Sequence, residues 1–137
     1  YTTLFRSDEV KLGGQNINNT VNMHILNDWI YRIASDEGII LYAVRFWYGP
    51  ESDWRVIGRK KDGSYVKYLD TMDITKKYFG VNTHKGGASP IRYDIPVCQN
   101  DTVVIHYMGQ RSRDYLGEFR FKWDDAAQWF GVEQVVY

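Results

Sequence analysis

The chain has 137 residues, of which 44% are hydrophobic and 25% are charged, and its 17 basic and 17 acidic residues cancel. This composition is typical of one globular domain and not of a disordered chain. A neutral protein has no global field that gathers phosphate backbones, so we expect no nucleic-acid partner. No apolar run reaches the roughly 18 residues of a membrane-spanning helix, so we expect no membrane span either.

Aromatic residues make up 16% of the chain, with 11 Tyr and 5 Trp. Such side chains suit the pleated, half-buried surface of a sheet. Short apolar/polar alternations, separated by turn residues, run from about Thr20 to Tyr137. The pattern predicts a single antiparallel all-β domain over 1–137, with about eight to ten strands. It does not separate a sandwich from a small barrel.

The first third of the chain changes from weak to strong patterning. Residues 1–19 are weakly patterned and end in an Asn-rich stretch, which favours loop near that end. A strand is predicted over 20–25, followed by two arms over 29–35 and 39–48. Because the last arm is apolar on both faces except at Arg45, we expect it to be central in its sheet and covered on both sides.

The dipeptide Asp62-Gly63, between arms over 54–61 and 64–70, is the strongest hairpin signal in the chain. A two-residue turn there sets three cross-strand pairs: Val56 with Leu69, Ile57 with Tyr68, and Arg55 with Asp70. Apolar and opposite-charge pairs are those that stabilise an antiparallel sheet, so turn chemistry and pairing agree.

Two short helical turns are predicted, near 73–79 and near 125–130, because Asp and Thr side chains can cap their starts and glycines can close them. Residues 91–97 alternate but are bracketed by Pro90 and Pro96, which is typical of an edge strand. Three further strands are predicted over 102–109, 118–123 and 132–136.

The chain contains no motif that carries a known chemistry. Its one cysteine, Cys98, permits no internal disulfide and is expected to be a small buried side chain. The spacing of His24, His84 and His106 matches no zinc site, and no glycine pair is followed by the Lys of a phosphate loop. We therefore predict no catalytic residue, no metal site and no cofactor.

An aromatic-rich stretch is the first candidate for an interaction face. Trp47, Tyr48 and Trp54 flank a Gly-Pro loop at one end of the predicted sheet. Aromatic side chains with polar tips are common at binding surfaces. These three residues are therefore the predicted binding residues.

The leading functional hypothesis is a non-enzymatic binding or structural module that recognises a protein or a glycan. Two others stay open: a β-barrel carrier of a small apolar ligand, and a small hydrolase that pairs His24 or His106 with a carboxylate. The chain starts at Tyr1 and not at Met, and its Tyr- and Asn-rich β composition fits an exported protein. We therefore expect a secreted or periplasmic location. The sequence indicates neither an oligomeric state nor the identity of a partner.

Overall fold

The computed structural model describes the backbone of residues 11–12, 15–16, 24–33, 39–48, 51–83 and 88–137, and the side chains of 39–45, 53–83 and 88–137. Within these ranges there are one helix, α1 (Thr71–Phe79), and eleven strands: β1 (Lys11–Leu12), β2 (Gln15–Asn16), β3 (His24–Ile33), β4 (Ile39–Tyr48), β5 (Glu51–Arg59), β6 (Tyr65–Asp70), β7 (Ile91–Tyr93), β8 (Val97–Gln99), β9 (Thr102–Gly109), β10 (Gly117–Asp124) and β11 (Trp129–Val136).

The strands form two large antiparallel sheets and a small ladder of β1 with β2. One sheet has the order β3-β4-β5-β6; the other has the order β11-β10-β9-β7, and β8 also pairs with β9. Buried side chains of both sheets and of α1 belong to one core. The layout agrees with the all-β prediction and with its sandwich alternative, and the described strands do not close into a barrel. The prediction of one domain over 1–137 extends beyond the described residues, as does most of 1–19.

The four-stranded sheet confirms the prediction that the arm over 39–48 is a central strand covered on both sides. Along β4, Leu41 and Ala43 belong to the core between the sheets, and their neighbours Tyr42 and Val44 are also buried. Because successive side chains point to opposite faces, β4 is buried on both faces, while Arg45 is exposed.

The strand before it, β3, is longer than predicted. The sequence predicts two strands separated by Asn27-Asp28, whereas one strand covers His24–Ile33. Its pairing with β4 shifts register between Ile25 and Ile30. The two polar residues therefore lie in an irregularity within the strand and do not end it.

The turn between β5 and β6 differs from the prediction by one residue. The Lys60 N–H donates to the Ser64 carbonyl (2.8 Å), and the Gly63 N–H donates to the Lys60 carbonyl (2.9 Å). Gly63 takes a positive φ of 87°. The connection is therefore a three-residue loop with a type I turn and a left-handed glycine. Asp62 Oδ1 accepts from the Ser64 N–H and hydroxyl and holds the loop closed.

The longer loop shifts the β5–β6 ladder by one residue, so Ile57 faces Lys67, and the predicted pairing of Ile57 with Tyr68 is wrong. A bulge at Tyr68 then restores the register, and two predicted pairs are confirmed: Val56 with Leu69, and Arg55 with Asp70. Without the bulge, a one-residue slip would turn the side chains beyond it to the opposite face of the sheet.

The bulge directs Tyr68 into the core beside Leu69. A Cβ at Gly58 would lie 2.2 Å from Cε2 of Tyr68, so glycine is the residue that leaves room for the ring against β5. The ring meets three aromatic rings of the opposite sheet edge-on, at centroid distances of 5.6, 5.0 and 5.4 Å: those of Trp123, Trp129 and Phe130. Tyr68 therefore joins the two sheets through favourable edge-to-face contacts.

Asp70, at the end of β6, begins the helix. Its Oδ1 accepts the Met72 N–H (2.9 Å), and its Oδ2 accepts from Arg55 Nε (3.1 Å) and Lys67 Nζ (3.2 Å). An N-cap carboxylate satisfies one of the free N–H groups of the first turn, and two cations compensate its buried charge. The restored register is what places Arg55 opposite this carboxylate.

The helix ends at Gly80, whose φ of 73° is left-handed. It starts two residues before the predicted turn over 73–79. Its last residues, Tyr78 and Phe79, pack their rings on Phe119 of β10 at 4.8 and 6.1 Å. The helix is therefore a second link between the sheets.

The second predicted helical turn, near 125–130, is not helical. Asp124 Oδ1 accepts the N–H groups of Ala126 and Ala127 as a cap would. However, Gln128 takes a positive φ of 52°, which ends the turn, and β11 starts at Trp129 and pairs back on β10. The capping signal therefore belongs to a hairpin connection, and the last strand starts three residues earlier than predicted.

The predicted edge strand over 91–97 is divided into β7 and β8. Both pair with β9 at the edge of the sheet, and Pro96, which has no N–H to donate, lies between them. This division, together with the two-residue strands β1 and β2, raises the number of described strands to eleven, above the predicted range.

The Tyr68 hydroxyl is buried without a hydrogen-bond partner among the described residues, whereas the Tyr93 hydroxyl is bonded to Thr75 Oγ1 (2.7 Å). Burying a hydroxyl without a hydrogen bond destabilises the folded state, whereas a buried hydroxyl that forms a hydrogen bond stabilises it. We predict that Tyr68→Phe raises the free energy of unfolding by about 1 kcal/mol, and that the matched Tyr93→Phe lowers it by about 1 kcal/mol. Urea unfolding of both variants tests this, and a loss of stability in Tyr68→Phe would contradict it.

Candidate binding surface

The predicted binding residues lie in one hairpin. Trp47 and Tyr48 end β4 and face Ser52 and Glu51 of β5, but their side chains fall outside the described residues. Trp54 is 7% exposed and belongs to the core, where its indole N–H donates to the Tyr93 carbonyl (3.3 Å). Its ring therefore packs between the sheets, while the face offered by Trp47 and Tyr48 stays a prediction.

Cys98 is buried, as expected. Burial, followed by the charge of Asp101, raises the pKa of its thiol to about 11. A thiol with so high a pKa is protonated near neutral pH and is a poor nucleophile.

Two of the three histidines lie in different sheets, His24 in β3 and His106 in β9, and His84 lies outside the described residues. Among the described residues, no hydrogen bond joins the His106 imidazole to a carboxylate. His106 is nevertheless at the centre of a cluster on the outer face of the five-stranded sheet.

The strand register builds this cluster. Along β9, the neighbours of His106 on either side are buried in the core, so alternation places His106 on the opposite, outer face. Glu118 of β10 lies directly across from it. On its other side, the Asp94 N–H donates to the His106 carbonyl (3.0 Å). A row of three ionisable residues thus crosses three consecutive segments of the sheet.

Tyr115, from the loop between β9 and β10, covers one end of the row. Its ring stacks on the His106 imidazole at 4.8 Å between centroids, with the planes 32° apart. Its hydroxyl donates to Asp94 Oδ2, and the Ile95 N–H donates to Oδ1 of the same carboxylate (3.0 Å). The hydrogen bond to Asp94 raises the pKa of Tyr115, so its hydroxyl stays a donor.

Tyr137 covers the other end in the same way. Its hydroxyl donates to Glu118 Oε1 (2.5 Å), and Arg120 Nε donates to Oε2 (2.8 Å). These two bonds, that of Arg120 first, lower the pKa of Glu118. The bond to Glu118 raises the pKa of Tyr137. Each tyrosine on this face is therefore held at its hydroxyl by a carboxylate.

The face combines fixed polar groups with exposed apolar surface. Tyr115 is 42% exposed and Tyr137 is 62% exposed. Leu116, next to Tyr115 in the chain, is also exposed. Its carbonyl accepts the Tyr137 N–H (3.0 Å), so it lies opposite Tyr137. We call this surface the tyrosine face and define it by five residues: Asp94, His106, Tyr115, Glu118 and Tyr137. An exposed apolar patch rimmed by polar groups is typical of an interaction site.

A cleft of about 230 Å³ opens elsewhere, between the β5–β6 and β10–β11 turns. Its described lining consists of one apolar and four polar residues: Ile39, Lys60, Lys61, Asp62 and Gln128. Small-molecule sites are larger, roughly 300–1,000 Å³, and mostly apolar. The cleft is therefore a weaker candidate than the tyrosine face.

Sequence reasoning named His106 but no other member of the tyrosine face. The pairing of β9 with β10 joins residues that the sequence separates, and no local pattern specifies it. One usable signal was the alternation of Glu118 and Arg120 with buried Phe119 and Phe121, which marks the outer face of β10.

Comparison with known proteins gives no relative: no family model, no curated protein and no solved structure matches the chain. Within the described ranges, no helix has the length and apolarity needed to cross a membrane. The same residues contain no group of three or more His, Cys, Asp or Glu side chains placed to hold a metal ion.

The lowered pKa of Glu118 links stability to pH. A carboxyl whose pKa is lower in the folded state stabilises the fold above its unfolded pKa, and this contribution is lost as the pH falls through the folded value. We predict that Glu118→Gln lowers the free energy of unfolding by about 1 kcal/mol at neutral pH. This deficit should shrink as the pH falls below 4.5, the ordinary pKa of the group.

Urea unfolding across pH measures this deficit. Tyr137→Phe removes one of the two donors to Glu118. It should therefore cause a smaller loss of unfolding free energy, and this loss should also shrink as the pH falls. A deficit in Glu118→Gln that stays constant from neutral to acid pH would contradict the role given to the carboxylate.

Proposed function

We propose that this chain is a non-enzymatic binding module that recognises a protein partner through the tyrosine face. The observation that carries the proposal is the fixing of both exposed tyrosines by carboxylates. Tyr115 is held by Asp94 and by stacking on His106, and Tyr137 is held by Glu118. Side chains ordered before binding lose little conformational entropy when a partner arrives.

The composition of the face supports a protein partner. Tyr and Arg are the residue types that most often dominate interface energetics, and both occur here, with Arg120 beside Glu118. Rigid tyrosines also supply much of the contact area in antibody paratopes. Leu116 adds exposed aliphatic surface that a protein would cover.

The state of the carboxylates supports a role without catalysis. All four oxygens of Asp94 and Glu118 accept a hydrogen bond from a neighbouring protein group. A general base needs a carboxylate or imidazole within reach of a substrate proton, whereas these groups hold the tyrosines. We include in the proposal a secreted or periplasmic location, which rests on the Tyr- and Asn-rich β composition alone.

Capture experiments with matched variants test the proposal. Immobilised chain is exposed to proteins of its native source, and the captured partner is quantified for each variant. We predict that Tyr115→Ala lowers affinity for the partner about tenfold or more, as for an interface hot spot. Tyr115→Phe keeps the ring but loses the bond to Asp94, so it should weaken binding less. Trp47→Ala, on the face predicted from sequence, should leave binding unchanged.

Two results would overturn the proposal. A partner retained by Tyr115→Ala but lost by Trp47→Ala would place the binding surface on the β4–β5 hairpin. Binding to a glycan array that depends on Tyr115, without capture of any protein, would show that the face recognises a glycan.

A further inference from the structure

The last strand, β11, leaves one edge of the five-stranded sheet unpaired within the described part of the chain. The Tyr137 N–H points to β10, where it donates to the Leu116 carbonyl (3.0 Å). Backbone groups of successive strand residues point in opposite directions. The outward-facing N–H and C=O groups therefore belong to alternate residues of β11: Phe130, Val132, Gln134 and Val136.

The two edges of this sheet are built differently. The opposite edge consists of two strands of three residues, β7 and β8, with Pro90 before the first and Pro96 between them. Short strands and prolines are the usual protection against edge-to-edge pairing. By contrast, β11 has eight residues, pairs with β10 without a register shift and contains no Pro, Lys or Arg. Its Val132 is 44% and its Val136 69% exposed.

We propose that β11 pairs antiparallel with β11 of a second copy of this chain, about a two-fold axis through Gln134. The pairing forms one continuous ten-stranded sheet. Like most homodimeric contacts it is isologous, so the same strand is used by both copies. In any such pairing, the outward N–H and C=O groups of one copy must lie opposite those of the other. This requirement allows only a few positions of the two-fold axis along β11.

Charge and apolar complementarity select among these registers. An axis at Glu133 sets that carboxylate against its own copy, which is unfavourable. An axis at Val132 pairs the more exposed Val136 with Gln128, which lies in the preceding turn. An axis at Gln134 places Val132 of each copy opposite Val136 of the other, so this apolar pair occurs twice. It also places Glu133 of each copy opposite Val135 of the other. This register covers the exposed valines and separates the two charges.

The proposal is independent of the tyrosine face but has a consequence for it. Edge-to-edge pairing keeps the outer faces of both copies on the same side of the continuous sheet. Two tyrosine faces would then be presented together, and a partner with two epitopes would bind with an increased effective affinity.

Sedimentation equilibrium of the whole chain, from micromolar to near-millimolar concentration, tests the proposal. The wild-type chain should be in monomer–dimer equilibrium. Gln134→Pro removes an outward N–H and also the bond from Gln134 Nε2 to the Tyr107 hydroxyl (3.1 Å), but no backbone bond to β10, and it should weaken the dimer at least tenfold. Ile95→Lys replaces an exposed apolar residue near the protected edge and should leave the equilibrium unchanged.

A charge swap tests the register. Val132→Lys and Val136→Glu should each weaken the dimer at least tenfold. The double variant should restore it, because the lysine introduced at 132 faces the glutamate introduced at 136 of the second copy. Circular dichroism establishes that each variant is folded, and the valine variants carry the test if Gln134→Pro does not fold.

Three outcomes would overturn the proposal. The first is a wild-type chain that stays monomeric over the whole concentration range, which would leave the edge for a strand of another protein. The second is a dimer that the folded edge variants do not weaken. The third is a double charge variant that remains as weak as the single variants.

Discussion

The bulge that turns Tyr68 into the core, over the backbone of Gly58, determines how the two sheets pack. The ring meets aromatic rings of the opposite sheet and so holds the two layers together. The same extra residue returns the hairpin to the register in which Arg55 reaches Asp70. That carboxylate then begins α1, which crosses to β10. Packing, register and helix position therefore follow from one local irregularity.

The tyrosine face and the β11 edge, the two surfaces proposed for binding, both belong to the five-stranded sheet, and β11 itself contacts the bulge through Trp129 and Phe130. The tyrosine face is on the outer side of the five-stranded sheet, whose inner side packs against Tyr68 and α1. Its shape depends on the alignment of β7, β9 and β10, which sets Asp94, His106 and Glu118 in one row. The β11 edge continues from the same surface through Tyr137. The core beneath thus supports a surface on which hydrogen bonds to carboxylates hold both tyrosines.

The sequence predicted what local chemistry determines. Period-two alternation gave the β class, and the Asp62-Gly63 signal gave the hairpin and two of its three pairs. The loop length and the bulge were missed because the arm over 64–70 carries no mark of an extra residue; the usable signal was Gly58, since a glycine inside a strand often marks a bulge or a close approach. The tyrosine face was missed because pairing between distant strands brings its residues together. The cap at Asp124 was misassigned because a hairpin turn uses the same side-chain acceptor as a helix start.

A double-mutant cycle between Gly58 and Tyr68 measures whether the glycine is needed to accommodate the tyrosine ring. We expect Gly58→Ala alone to lower the free energy of unfolding by about 1–3 kcal/mol, as overpacking does. In a Tyr68→Leu background the new methyl group meets no ring, so most of that cost should disappear, leaving a coupling energy of about 1 kcal/mol or more. If the effects of the two substitutions are additive, the position of the Tyr68 ring does not depend on the glycine, and the bulge does not have the role given to it here.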